Sequence, residues 1–276
     1  MLDPKLYVIA TPLGHRDDLT LRARETLGRL SHLFAEDTRE IRKLLDLHGI
    51  ELSGKVLHSY ASHNMKEATE KAIALIREGK EIGLVCDRGT PTVADPGALL
   101  VRSVREAGYG VIPIPGPSAV TALFSVGGFT SGRFIFAGFL PQVRKERGRL
   151  FELFKTMAWP ICLYEAPQRI RETVGELKSN FPNGALLIGR EMTKFFEQIE
   201  MVPLATLDPA GLVEKGEYTL FLDPGFQAEK TAADWVMELN LRLASEKEWA
   251  KRIAERFGLS ASDVYNALQY KKRERL

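Results

Sequence analysis

The sequence predicts an α/β protein built from two α/β domains with a cleft between them and a small helical appendage at the carboxyl end. Short apolar runs alternate with helical patterns from Leu6 onward, as in a mostly parallel sheet covered by helices. Two Gly/Pro-rich loops, residues 86–97 and 112–119, each follow an apolar run and precede a helical pattern, which is where open α/β sheets bind ligands. At 276 residues the chain exceeds the roughly 100–200 residues of one domain. The texture divides it into α/β domains over 1–114 and 115–227 and an appendage over 228–276.

The first domain reads as a strand over 6–10, a helix over 19–30, a strand over 33–35 and a helix over 39–47 stopped by Gly49. A strand over 55–57 and a helix over 65–77 stopped by Gly79 follow. The strand over 82–85 enters the first loop, Cys86-Asp87-Arg88-Gly89-Thr90-Pro91-Thr92-Val93-Ala94-Asp95-Pro96-Gly97. Asp95 is expected to cap the next helix, with Pro96 at its first position and Gly108 at its end. The strand over 111–114 leads into the second loop, Pro115-Gly116-Pro117-Ser118-Ala119.

The second domain reads as a helix over 119–126, a strand over 134–137, a helix over 147–155, a strand over 161–164, a helix over 170–177, and strands over 186–188 and 218–222. Asp223-Pro224-Gly225 breaks the pattern. In the appendage a helix covers 232–243, and Ser245-Glu246-Lys247-Glu248 forms a capping box opening a helix to 257. Gly258 ends that helix, and Ser260-Ala261-Ser262-Asp263 starts a third that runs into Lys271-Lys272-Arg273-Glu274-Arg275. Two short helices joined around Gly258 read equally as a helix-turn-helix or as a packing appendage.

Composition narrows the class. The chain is 45% hydrophobic and 27% charged, with no apolar run near the roughly 20 residues of a membrane span. The N-terminus has no signal-peptide pattern, so a cytoplasmic location is expected. Cys86 and Cys162 adjoin apolar runs and read as reduced, packed thiols. The five histidines lack zinc spacing, so no metal is expected. A net charge of +2 leaves any nucleic-acid contact to local clusters.

The loops select a ligand by chemistry. Neither fits the dinucleotide or phosphate-loop patterns, and the first carries Asp87 and Asp95 without a lysine. A polyphosphate is poorly served there. A cationic or zwitterionic ligand held by closely approaching, rigid backbone is a better match, and S-adenosylmethionine is one.

Several motifs in fixed order carry a resemblance: Ile9-Ala10-Thr11-Pro12-Leu13-Gly14, Ala35-Glu36-Asp37-Thr38-Arg39, the two loops, Ala137-Gly138-Phe139-Leu140-Pro141, Tyr164-Glu165-Ala166-Pro167 and Arg190-Glu191-Met192-Thr193-Lys194. Together they resemble the tetrapyrrole methylase superfamily, and within it the branch that methylates a cytidine ribose 2'-hydroxyl in the decoding region of 16S rRNA. The resemblance implies S-adenosylmethionine in the inter-domain cleft, the small ribosomal subunit as substrate, and a homodimer. It places the cofactor against Pro12, Leu13, Thr90, Pro91, Thr92, Val93, Ser118, Ala119, Leu163 and Tyr164. The chain departs from the family pattern at His15-Arg16, where an Asn and an apolar residue are usual. Arg88 replaces a small residue, and Gln168 a histidine.

A general base would assist transfer to a ribose hydroxyl, and Asp37 and Glu191 are candidates, with Lys194 beside Glu191 and with Glu36 and Glu165 behind them. Asp37 also fits an acidic helix start, and Glu191 with Lys194 an ion pair that holds a loop. For RNA phosphates the candidates are Arg16, Arg39, Lys43, Arg144, Lys145 and Arg147, which otherwise read as solvated helix faces. Two further functional readings stay open: methylation of a tetrapyrrole such as a precorrin, and a non-catalytic RNA-binding or ribosome assembly factor.

Overall fold

The computed structural model describes residues 4–157, 159–225, 247, 248, 250, 251, 254 and 260–266. The chain falls into two compact units, Met1–Gly225 and Phe226–Leu276.

The larger unit opens with a parallel sheet of β1 (Pro4–Ile9), β2 (His32–Ala35), β3 (Val56–Ser59), β4 (Ile82–Val85) and β5 (Gly110–Ile114), in the order β3-β2-β4-β1-β5. Four helices connect them: α1 (Leu21–Arg29), α2 (Thr38–Leu47), α3 (Met65–Arg77) and α4 (Ala98–Glu106). Strand alternation sorts the core into two layers. Ile9, Leu33 and Val85 pack with Leu27, Ile41 and Leu45 of α1 and α2, while Leu6, Phe34 and Leu84 pack with Ile76, Leu100 and Val104 of α3 and α4. The stop glycines Gly49, Gly79 and Gly108 have φ of +62°, +81° and +82°, the left-handed geometry that closes a helix without a Cβ penalty.

Register aligns the carboxyl ends of these strands. Val85 of β4 pairs with Ile9 of β1 and Ala35 of β2, and Ile9 also pairs with Ile114 of β5. Four strands therefore end level, and the segments after them meet at one edge.

One pairing in this sheet carries a pH dependence. His58 stacks on Phe34 at 4.6 Å, with its Nε2 3.1 Å from His32 Nδ1. Burial, then the charges of Lys71 and His32, lower its pKa from 6.5 to about 4. The unfolded chain thus takes up this proton near pH 6.5 and the folded chain only near 4. Stability from this group is full above the first value and declines as pH falls through the second, by about 3 kcal/mol. The stability difference between the parent and His58→Phe, measured by denaturant unfolding, should shift in favour of the parent by about 3 kcal/mol as pH rises from 4 to 6.5, a difference in which the opposite slopes of the raised carboxylates cancel.

The second sheet contains β6 (Ile135–Phe139), β7 (Ile161–Glu165), β8 (Ala185–Arg190), β9 (Gln198–Pro203) and β10 (Tyr218–Asp223), in the order β6-β7-β10-β8-β9. Only β6 and β7 run parallel, and the other pairings are antiparallel. The expectation of a mostly parallel sheet is corrected for this half. Strand β9 was not expected from the sequence. Helix α5 (Ala119–Val126) covers one face through Val120 and Leu123 with Cys162, Leu187 and Phe221, while α6 (Arg144–Phe154) and α7 (Ile170–Asn180) cover the other.

A second correction concerns Asp95. Helix α4 begins at Ala98, its N-cap is Gly97 with φ 142°, and no side chain caps it. Asp95 caps no helix, and its carboxylate lies beside the Cys86 thiol instead.

In the smaller unit residues 247, 248, 250, 251 and 254 are helical, with Ala250 and Ala254 buried one turn apart. Residues 261–266 form another helical run, started by Ser260, whose Oγ accepts the Asp263 N–H at 3.5 Å and whose carbonyl accepts the Val264 N–H at 3.1 Å. The helix expected over 232–243, Ser245 and Glu246 of the capping box, Gly258 and the basic end over 271–275 lie outside the described residues. Among the described residues no helix is long and apolar enough to cross a membrane.

Candidate active-site cleft

The level strand ends bring the two loops together and bond them. Thr11, directly after β1, exchanges backbone hydrogen bonds with Gly89 at 2.8 and 3.1 Å, and its hydroxyl donates to the Cys86 carbonyl at 3.1 Å. Thr90 Oγ1 donates to the Pro117 carbonyl at 3.0 Å, which joins the first loop to the second. Gly116 approaches Ala10 so closely that an added Cβ would lie 2.9 Å from the alanine methyl. The first loop also holds Thr92 and Ala94 at φ of 72° and 67°. Positive φ at a β-branched residue is a costly conformation that clusters at ligand sites.

Above these loops lies a cleft of about 580 Å³, within the usual range for small-molecule sites. The first sheet contributes Leu13, Glu36, Thr90, Val93 and Asp95, the α5 start contributes Ser118 and Ala119, and the second sheet contributes Phe139, Tyr164 and Glu217. Phe136 and Phe139 pack on the Tyr164 ring at 5.1 and 5.7 Å, giving the cleft an aromatic wall.

The charged part of the lining is mostly acidic. Glu36, Glu40, Asp87, Asp95, Glu165 and Glu217 stand among the lining residues beside one arginine, Arg88, though the Glu165 carboxylate is buried and paired with Arg169 at 3.2 Å. Burial raises the pKa of Asp95 to about 6, and the charges of Glu36 and Asp87 add to the shift. Glu36 and Asp87 are raised as well, first by burial and then by neighbouring carboxylates. This wall is built for a cation and is hostile to a polyphosphate.

Of the predicted cofactor contacts, Leu13, Thr90, Val93, Ser118, Ala119 and Tyr164 come together in this lining. Pro12, Pro91 and Thr92 lie outside it, and the Leu163 side chain is fully buried in the core beneath α6 and α7. Alternation along β7 is the reason: Tyr164 and Leu163 lie on opposite faces.

The catalytic candidates have structural partners. Asp37 caps α2, accepting the Arg39 N–H at 2.8 Å and its guanidinium at 2.6 Å, and these bonds lower its pKa to about 2. Glu191, at φ 50°, accepts Lys194 Nζ at 2.7 Å and the Glu217 N–H at 3.0 Å. Burial pushes its carboxyl up, but these bonds outweigh it and the net shift is down. Neither carboxylate lines the cleft.

The basic candidates divide. Arg16 pairs with Asp17, Arg39 with Asp37 and Lys43 with Glu40, all at the surface. Arg144 and Lys145 are exposed in the first turn of α6, which has no side-chain cap. Arg147 is different. Its side chain is only 7% exposed and bonds Glu172 and Glu176 at 2.6 and 2.8 Å, so its expected phosphate contact is corrected to a structural ion pair.

Sequence reasoning missed Glu40 and Glu217. Nothing in the spacing of Lys215-Gly216-Glu217 marks the last residue, which reaches the cleft only because β10 lies at the centre of its sheet. Among the described residues no group of three or more His, Cys, Asp or Glu side chains could hold a metal ion.

The family model for tetrapyrrole (corrin/porphyrin) methylases matches residues 5–208. A ribosomal RNA small subunit methyltransferase I from Neisseria meningitidis serogroup B is 37% identical over 97% of this chain and 94% of its own. The protein of the same name from Bacillus subtilis is 31% identical over the same shares. Among solved structures, the methyltransferase CobJ superposes with a TM-score of 0.63 at 16% identity, covering 82% of this chain and 95% of its own. A Thermus thermophilus uroporphyrin-III C-methyltransferase complexed with S-adenosyl homocysteine superposes with a TM-score of 0.55 at 16% identity, over 80% and 97%. Sequence motifs, topology and these matches agree, and the chain belongs to the tetrapyrrole (corrin/porphyrin) methylase family, in the group of the ribosomal RNA small subunit methyltransferases I.

Proposed function

We propose that this protein is an S-adenosylmethionine-dependent methyltransferase acting on the ribose 2'-hydroxyl of a cytidine in the decoding region of 16S rRNA. The observation that carries the reading is near-full-length identity of 37% to a protein named for small-subunit rRNA methylation. The cleft supports it independently, because its size and acidic wall suit a cationic cofactor. S-adenosylmethionine supplies a methyl group on a positively charged sulfur.

The chain's own residues divide the remaining work. Leu13, Thr90, Val93, Ser118 and Ala119 hold the cofactor, largely through rigid backbone, and Tyr164 with Phe139 excludes water from one side. Asp95, Glu36 and Asp87 favour positive charge. Holding the reactants in line is the main contribution, on the order of 7–11 kcal/mol of barrier. A base adds about 10²- to 10⁴-fold. Glu36 is assigned that proton, since it lines the cleft with a raised pKa, whereas the pKa values of Asp37 and Glu191 are lowered. Arg144 and Lys145 contact RNA phosphate. Two cations in the first turn of a helix oppose its dipole, an arrangement that a bound anion relieves.

The test is a map of ribose methylation in small-subunit rRNA from cells with and without the protein, with labelled cofactor offered in vitro to rRNA and to a precorrin. One cytidine losing its 2'-O-methyl group, and label on rRNA, is the expected result. An unchanged map or label on the tetrapyrrole overturns the reading. In the same assay Glu36→Gln should lower kcat by about a hundredfold.

A further inference from the structure

We infer that Arg88 is an oxyanion anchor of the cleft, which exchanges Glu217 for a phosphate of the RNA chain while Lys194 keeps Glu217 paired. The inference rests on the reading that the substrate is RNA.

Among the described lining residues Arg88 carries the single positive charge, against Glu36, Glu40, Asp87, Asp95 and Glu217, the Glu165 carboxylate being buried on Arg169. A polyanionic chain entering the cleft is repelled along most of the wall and attracted at this one point. The base of the Arg88 arm is fixed, because the Cys86 thiol donates to the carbonyls of Arg88 and Gly89, and Gly89 is bonded to Thr11. The far end reaches water: the Arg88 side chain is 41% and that of Glu217 60% exposed.

Arg88 Nη1 bonds Glu217 Oε1 at 2.6 Å. The other oxygen of Glu217 accepts Lys194 Nζ at 2.9 Å, and Lys194 is itself held by Glu191 at 2.7 Å. An ion pair at the edge of water contributes little to stability, whereas a guanidinium fork on phosphate makes paired, charge-assisted bonds. When Arg88 leaves, Glu217 keeps Lys194 as its partner. The exchange therefore strands no charge.

A plain latch between the two sheets would use the same pair, and the two roles predict opposite signs. If Arg88 anchors phosphate, Glu217 competes with the RNA and its removal should help. If the pair only latches, removing either partner should harm.

The experiment measures binding of small-subunit rRNA transcript against salt for the parent, Arg88→Ala, Arg88→Lys and Glu217→Gln, with cofactor affinity by calorimetry and melting temperature as fold control. Arg88→Ala should bind RNA about tenfold more weakly and lose about 0.7–0.9 from the slope of log affinity against log salt. Arg88→Lys should keep most of that slope. Glu217→Gln should bind RNA several-fold more tightly than the parent. Weakening by both Arg88→Ala and Glu217→Gln overturns the anchor in favour of a latch, and equal binding by all four proteins also overturns it. An unchanged RNA slope with cofactor affinity lost in Arg88→Ala overturns it too, by assigning the guanidinium to the cofactor carboxylate. If the parent binds RNA with these slopes but transfers no methyl group, the functional reading falls and the anchor stands.

Discussion

Replacing Asp95 with Asn is expected to raise the stability of the ligand-free protein by about 2 kcal/mol at neutral pH and to weaken S-adenosylmethionine binding about tenfold or more. Burial, with Glu36 and Asp87 close by, lifts the Asp95 pKa from 3.8 to about 6. The unfolded chain ionises this group near the lower value and the folded chain near the higher. Its favourable contribution is full below 3.8 and is lost as pH rises through 6, so at neutral pH the fold carries a charge that it would be more stable without. A cationic ligand offsets that cost. Two unit charges about 4 Å apart at an effective dielectric near 20 attract by about 4 kcal/mol, and a tenfold loss of affinity needs only about 1.4. Calorimetry on either side of pH 6 should show the parent binding the cofactor more tightly at the higher pH, with Asp95→Asn flat across the same interval. Equal cofactor affinity in parent and variant would remove Asp95 from the site. A variant that is also less stable would make it a structural residue.

The same residue shows what could be read from the chain and what could not. Asp-Pro before a helical pattern is a sound capping signal, and the element it announces is real. The cap is wrong because Thr92 and Ala94 take positive φ and Gly97 an extreme one, which carries the chain past Asp95 before the helix starts. No local preference announces that strain. The acidic wall was half legible: Asp87 and Asp95 stand in one loop, but Glu36 joins them only because β2 and β4 are neighbours ending in register at Ala35 and Val85. The first sheet was readable because its central strands are buried on both faces and stand as plain apolar runs, Ile82–Val85 above all. Strand β9 gave no such signal. It pairs with β8 alone, at the edge of the sheet, and five of its six residues are exposed. Strand direction in the second half was equally hidden, because β8 and β10 pair across intervening chain that includes β9.

Arg147→Ala is expected to cost about 3 kcal/mol of stability, the usual penalty for breaking a buried pair from one side. The guanidinium spends its donors on Glu176 at 2.8 and 2.9 Å, on Glu172 at 2.6 Å, and on the carbonyls of Pro141 and Gln142 at 3.3 and 2.8 Å. It thereby ties the segment after β6 and the start of α6 to α7. Removal leaves Glu176, 20% exposed, without its cation and two carbonyls without their donor. Arg147→Lys keeps the charge but cannot reproduce the fork, so its loss should be intermediate. The neighbouring cluster separates stability from RNA contact. Arg144→Ala with Lys145→Ala should leave the denaturant midpoint nearly unchanged and reduce the salt dependence of RNA binding, whereas Arg147→Lys should do the reverse. A lowered salt slope in Arg147→Lys at unchanged stability would return Arg147 to the RNA surface. Three cations within four residues of one helix would then act alike, which their burial argues against, since two of them face water and the third lies inside the fold.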